Sequence, residues 1–121
     1  MKTFRFKDFQ VYKDAKKLRR TVLKLLQKFP SEEKYRLVDQ IHRSCLSIIL
    51  NIAEGSSKTS DTNFNRYLGN SLGSVNEIAA ALEVAHSVEL ISREQFEKGC
   101  TLYESIANQL GGFSKHLKSN S

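Results

Sequence analysis

The chain has 121 residues, about the size of one domain, and 40% of them are hydrophobic and 26% charged. This ordinary globular composition excludes a disordered chain, and 6 Gly with 1 Pro exclude a collagen-like or low-complexity sequence. The 2 cysteines are too few for a disulfide framework or a zinc site. The 19 Lys and Arg against 13 Asp and Glu give a formal charge of +6, which favours an anionic partner.

The amino terminus has no apolar run long enough for a signal peptide. The longest uncharged apolar run covers residues 45–53, far short of the roughly 20 residues that span a bilayer. We therefore expect a cytoplasmic protein with reduced thiols and no contact with a membrane.

Apolar residues recur at steps of three and four in four segments, which is typical of amphipathic helices. The predicted helices span about residues 8–28, 32–54, 61–88 and 93–117. Asp8, Ser31 and Ser60 are the predicted N-caps of the first three helices, and Ser92 with Gln95 predicts a capping box for the fourth.

Short connections between four long helices predict an all-α, up-down-up-down antiparallel four-helix bundle, with a single domain over residues 1–121. Gly55 is expected to end helix 2 in the left-handed conformation. Leu72 falls on the predicted core stripe of helix 3. Cys45 and Cys100 fall on apolar positions and are expected to be small core residues rather than reactive thiols.

Predicted helices 2 and 3 lack the charged face that a solvent-exposed helix carries. Residues 44–53 include no charged residue, and residues 67–82 include only Glu77. Gly69 and Gly73 would permit a close backbone approach, although each costs up to about 1 kcal/mol in a helix. We therefore predict a homo-oligomer; a monomer with a weakly charged flank is the alternative.

The predicted oligomer interface is made by polar, small and leucine side chains of helices 2 and 3. Its residues are Gln40, Ser44, Leu46, Ser47, Leu50, Asn51, Glu54, Gly69, Gly73, Ser74 and Glu77. Gln40, Ser44, Ser47, Asn51 and Glu54 form a polar strip along helix 2. This polar strip is interpreted as a hydrogen-bond network at the interface, with a solvated groove as the alternative.

The excess positive charge lies in the first quarter of the chain. Residues 1–28 contain ten Lys or Arg and two Asp, a net +8, whereas the rest contains nine bases and eleven acids, a net −2. One side of predicted helix 1 collects six of these bases: Lys13, Lys16, Lys17, Arg20, Lys24 and Lys28. A solvated face is the simpler interpretation, but a solubilising face usually mixes signs, so we predict contacts with nucleic-acid phosphates.

No motif in the sequence indicates catalysis or a cofactor. Glu83 and His86 match a di-iron bundle motif, but Glu83 points away from the predicted core and helix 1 has no core carboxylate. Glu54 and Glu77 could meet across helices 2 and 3, which is weak evidence for acid–base chemistry. We therefore predict no catalytic residue, metal or cofactor.

The sequence resembles the four-helix-bundle proteins encoded in 23S rRNA intervening sequences. The matching motifs are VYKDA (11–15), FP (29–30), YRLVDQIHRS (35–44), SI (47–48), NIAEG (51–55), NF (63–64), YL (67–68) and LGSVNE (72–77). The resemblance implies a homopentamer and no established role in the ribosome. A related branch, the accessory variability proteins of diversity-generating retroelements, consists of basic pentamers thought to bind a reverse transcriptase and its nucleic acid.

Two functional hypotheses follow. The first is a non-enzymatic oligomeric protein that contacts RNA or DNA through the basic face of helix 1. The second is a structural or adaptor protein whose partner is another protein, for example a reverse transcriptase. The family usually has an Arg after the glycine of NIAEG, whereas here Lys58 stands nearby, so an anion contact by that loop is not carried over.

Overall fold

The chain folds into four long α-helices in a computed structural model that describes residues 3–119, and the side chains of all of these except residues 33–35. The first two and last two residues of the predicted domain lie outside this range. The helices are α1 (Gln10–Leu26), α2 (Asp39–Ser56), α3 (Asp61–Ser87) and α4 (Arg93–Ser119). Residues 3–119 include no strand, and α2 packs on α3, α3 on α4, and α1 on both α2 and α4.

The start of α1 differs from the prediction. Asp8 belongs to a short 3-10 helix, Arg5–Asp8, and extended Phe9 precedes α1 without a side-chain cap. Asp8 is therefore not the N-cap. The amphipathic pattern of α1 itself is confirmed, because Ala15, Leu18 and Val22 are all buried.

Predicted helix 2 is wound in three different ways. A 3-10 helix at Ser31–Glu33 and a π-helix at Lys34–Val38 precede α2, which begins at Asp39 with no side-chain cap. Ser31 is therefore not the N-cap of α2. Apolar spacing does not distinguish these windings, because segments of 3 and 5 residues are too short for a different number of residues per turn to show.

Gly55 does not end α2 in a left-handed conformation, because α2 continues to Ser56 and Gly55 has no positive φ. Two other capping predictions are confirmed. Ser60 Oγ accepts a hydrogen bond from the Asn63 backbone N–H at the start of α3. At α4, the Gln95 backbone N–H donates to Ser92 Oγ, and the Ser92 backbone N–H donates to Gln95 Oε1.

The core contains side chains from all four helices. Leu18, Ile48, Leu68 and Ile106 are fully buried, and each contributes on the order of 1.5–3 kcal/mol by leaving water. Leu72 was predicted to join them but is 41% exposed. It lies toward the outer part of the seam between α3 and α4, which the periodicity of α3 alone does not reveal.

Candidate nucleic-acid interface and oligomer surface

The six predicted phosphate-binding residues form one exposed basic face on α1 and the turn after it. Lys13, Lys16, Lys17, Arg20, Lys24 and Lys28 are all exposed. No carboxylate within residues 3–119 forms an ion pair with any of them. At 1.5 Å per residue, the positions from Lys13 to Lys24 extend over about 17 Å of helix. We call this set the basic face.

The basic face continues into a cleft between the end of α1 and the start of α4. The cleft has a volume of about 590 Å³, and Lys24 and Lys28 line one wall. Lys98 and Glu94 line the α4 side. Sequence reasoning missed Lys98, because helical periodicity within one segment gives no information about which distant residue packs beside it.

The polar strip of α2 forms its hydrogen bonds with α3 of the same chain. Gln40 Nε2 and Ser44 Oγ donate to Glu77 Oε2 at 2.7 and 3.0 Å. Further along, Ser74 Oγ donates to Ser47 Oγ at 2.8 Å. Ser44 and Ser74 are already buried within one chain, so these hydroxyl groups are occupied before any partner binds.

The remaining predicted interface residues lie at different places on the surface. Asn51 Nδ2 donates to the Ser47 carbonyl at 2.9 Å, and Asn70 Nδ2 lies 3.5 Å from Asn51 Oδ1. Glu54 does not meet Glu77 but pairs with Lys58 at 3.0 Å, and this hydrogen bond raises the pKa of Lys58. The two carboxylates that the sequence suggested could meet therefore have different partners: Glu77 accepts from Gln40 and Ser44, and Glu54 pairs with Lys58.

Leu46 and Leu50 project from the outer side of α2 and are 43% and 55% exposed. Gly69 and Gly73 are exposed on α3, and a Cβ added at either position would have no atom within 4 Å. These glycines line a groove of about 580 Å³ between α3 and α4. Tyr103 of α4 also lines the groove and is half-buried.

The two cysteines have different surroundings. Burial raises the pKa of the Cys45 thiol from 9.0 to about 12, and the nearby Arg19 charge lowers it by less. Cys100 is partly exposed, with its Sγ 3.1 Å from the Tyr103 hydroxyl. Burial, followed by that hydrogen bond, raises the pKa of Tyr103 above its ordinary value. The prediction of a core position is confirmed for Cys45, whereas Cys100 is only half-buried.

The described residues offer neither a metal cluster nor a helix suited to a bilayer. Within residues 3–119, no three His, Cys, Asp or Glu side chains come together as a metal-binding group. His86 of the di-iron motif instead stacks on Phe96, with ring centroids 4.6 Å apart. Over the same residues, none of the helices combines the length and the apolar character that a membrane crossing requires.

The four helices and the basic face define an all-helical protein with a concentrated cationic surface. The family model described as "23S rRNA-intervening sequence protein" matches residues 7–112. The chain therefore belongs to the 23S rRNA-intervening sequence protein family, as its motifs predicted.

A solved structure has the same fold. It is a protein of unknown function from the S23 ribosomal protein family of Bacteroides thetaiotaomicron, with 27% sequence identity and a TM-score of 0.79. The similarity covers 87% of this chain and 95% of that one. No protein of curated function matches the chain.

Proposed function

We propose that the chain is a non-enzymatic, cytoplasmic, homo-oligomeric protein that binds RNA or DNA through the basic face of α1. Each subunit is an up-down-up-down bundle, and the resemblance to the retroelement accessory proteins supports a pentamer. Because every subunit carries the same face, the oligomer presents several copies of it to one polyanion.

The observation that supports nucleic-acid binding is the absence of ion pairs along this face. Five exposed cations lie along α1 and the sixth, Lys28, lies in the turn after it, and no carboxylate of residues 3–119 pairs with them. Elsewhere on the surface the pairs Arg43–Asp39 and Arg93–Glu97 form at 3.1 Å. Unpaired cations exchange their counterions for phosphates without first breaking an ion pair, which favours contacts with a nucleic-acid backbone.

Fluorescence anisotropy with a labelled DNA duplex, and with the matching RNA duplex, tests the proposal over a range of salt concentrations. Binding should weaken steeply as salt rises. The test variant replaces Lys17, Arg20 and Lys24 with Gln and leaves Lys16, whose ammonium lies 5.2 Å from the centre of the Tyr12 ring. Its negative slope of log affinity against log salt should become shallower by about 0.9 for each DNA phosphate that the variant no longer neutralises.

The control variant replaces Arg36, Arg93 and Lys115 with Gln and so removes the same charge from exposed positions outside α1. It should retain the affinity and salt slope of the natural chain. Equal losses in both variants would contradict the assignment to the basic face. A Kd above roughly 100 µM for both duplexes at physiological salt, the weak end of non-specific binding, would favour the protein-adaptor hypothesis instead.

A further inference from the structure

Leu46 and Leu50 of α2 form an apolar ridge that the single chain does not cover. They lie one helical turn apart and are about half exposed. Ser47 and Asn51, the next residue in each case, lie on the side of α2 that faces α3. Because successive helical residues differ by about 100°, the ridge points away from α3.

The groove between α3 and α4 has the complementary shape. Gly69, Gly73 and Ala107 leave the groove open because they have no side chain or only a methyl group. Leu72 and Tyr103 make the groove lining apolar. Its volume of about 580 Å³ would accommodate large side chains from a docked helix. It lies on the opposite side of α3 from the seam with α2, so the ridge and the groove of one chain face different directions.

The charges beside these two surfaces are also complementary. Arg19 of α1 lies near Cys45, the residue before Leu46, and its buried Nε has no hydrogen-bond partner in the described part of the chain. Glu104 lines the groove, and Glu83 lies near Tyr103. Neither carboxylate has an ion-pair partner within residues 3–119. The unpaired Arg19 guanidinium thus lies near the ridge, and the unpaired carboxylates of Glu104 and Glu83 lie at or near the groove.

We propose that the ridge of one copy of this chain docks in the α3–α4 groove of the next copy, with Arg19 paired to Glu104. This inference rests on the homo-oligomer in the proposed function and adds which surfaces meet. The contact is head-to-tail, because a two-fold contact pairs a patch with itself whereas here two different patches meet. It also brings α4 into an interface that the sequence assigned to helices 2 and 3.

A mixing experiment distinguishes this contact from a two-fold one. The ridge variant is Leu46→Gln with Leu50→Gln, and the groove variant is Gly73→Gln, which adds a side chain where the structure has open space. Each variant alone should have the mass of one chain, 13.8 kDa, by light scattering. An equimolar mixture should give a 1:1 dimer of twice that mass, because one intact ridge still meets one intact groove.

Two matched variants control for side-chain chemistry. Val88→Gln replaces another exposed apolar residue, and Gly112→Gln fills another open glycine position on α4. Both should retain the mass of the natural oligomer. Circular dichroism melting should show that all four variants remain folded.

Charge exchange tests the Arg19–Glu104 pair separately. Arg19→Glu and Glu104→Arg should each weaken assembly at least ten-fold, and the double variant should recover most of it. An oligomeric natural chain whose ridge and groove variants both remain oligomeric would overturn the contact and leave the proposed function standing. A monomeric natural chain would overturn the oligomer itself.

Discussion

Gly55 of α2 lies against Tyr67 of α3 so closely that a Cβ at position 55 would stand 2.7 Å from the Tyr67 Cβ. The Phe64 ring would be 3.0 Å away. Gly55 therefore sets the distance between the end of α2 and the start of α3. Lys58, whose ammonium lies 5.1 Å from the centre of the Tyr67 ring, packs over the same point.

We expect Gly55→Ala to lower the free energy of unfolding. The overlap with the Tyr67 Cβ costs about 1–3 kcal/mol, and a better helix propensity returns up to about 1 kcal/mol. Urea denaturation followed by circular dichroism measures the net change. Gly112→Ala is the control, since position 112 is open, and it should be neutral or stabilising. Equal effects at both positions would show that the close approach has no energetic role.

The sequence predicts the existence of all four helices, and both ends of α3 and α4 to within two residues. It misassigns Gly55 because a glycine after a helical pattern is consistent with two roles, a left-handed cap or a close approach. Choosing between them requires knowing that Tyr67 packs there. The winding before α2 is missed for a different reason, since its 3-10 and π segments of 3 and 5 residues are too short for their altered side-chain period to show in the apolar spacing.

The Ser44–Glu77 contact should couple α2 to α3 energetically. The Ser44 hydroxyl is buried and donates to the Glu77 carboxylate at 3.0 Å. A double-mutant cycle of Ser44→Ala and Glu77→Ala should give a coupling free energy of about 0.5–1.5 kcal/mol. Chemical denaturation of the four proteins at low protein concentration provides the values.

The exposed pair Arg93–Glu97 on α4 is the comparison for that cycle. Its two side chains are 84% and 63% exposed, and such pairs contribute about 0.5 kcal/mol or less. A coupling at Ser44–Glu77 no larger than that of the surface pair would contradict its role as a link between helices.

Cys45 should resist alkylation in the folded protein. With a pKa of about 12, only about 1 in 10,000 of its thiols is ionised at pH 8, and the thiolate is the reactive form. Iodoacetamide followed by peptide mass spectrometry should find Cys100 modified first. In urea the two cysteines should react at similar rates; faster labelling of Cys45 in the folded chain would contradict its burial.

The same thiol predicts a loss of stability at alkaline pH. The folded pKa lies above the unfolded value of 9.0, so the folded state keeps a proton that the unfolded state releases. The stability contribution is complete below pH 9 and falls between pH 9 and 12, by up to about 1.4 kcal/mol per pH unit. Cys45→Ala should unfold with a shallower pH dependence over that range; identical slopes would contradict the assignment.

The candidate site was predictable where it depends on one helix and not where it depends on two. The basic face follows from the periodicity of α1, and all six of its residues are exposed as expected. The groove beside Gly73 and Tyr103 depends on how α3 meets α4, and Lys98 enters the basic cleft from α4. The polar strip of α2 was visible in the sequence. Only the packing of α2 on α3 shows that Ser47 of this strip bonds to Ser74 of the same chain.

The decisive experiment is the molar mass of the natural chain, measured by light scattering in dilute buffer near physiological salt. We predict a single species of about five times the 13.8 kDa chain mass, because the ridge on α2 and the groove beside α3 are covered by neighbouring copies. A mass of 13.8 kDa would contradict the oligomer, since both apolar surfaces would then face water and each basic face would stand alone.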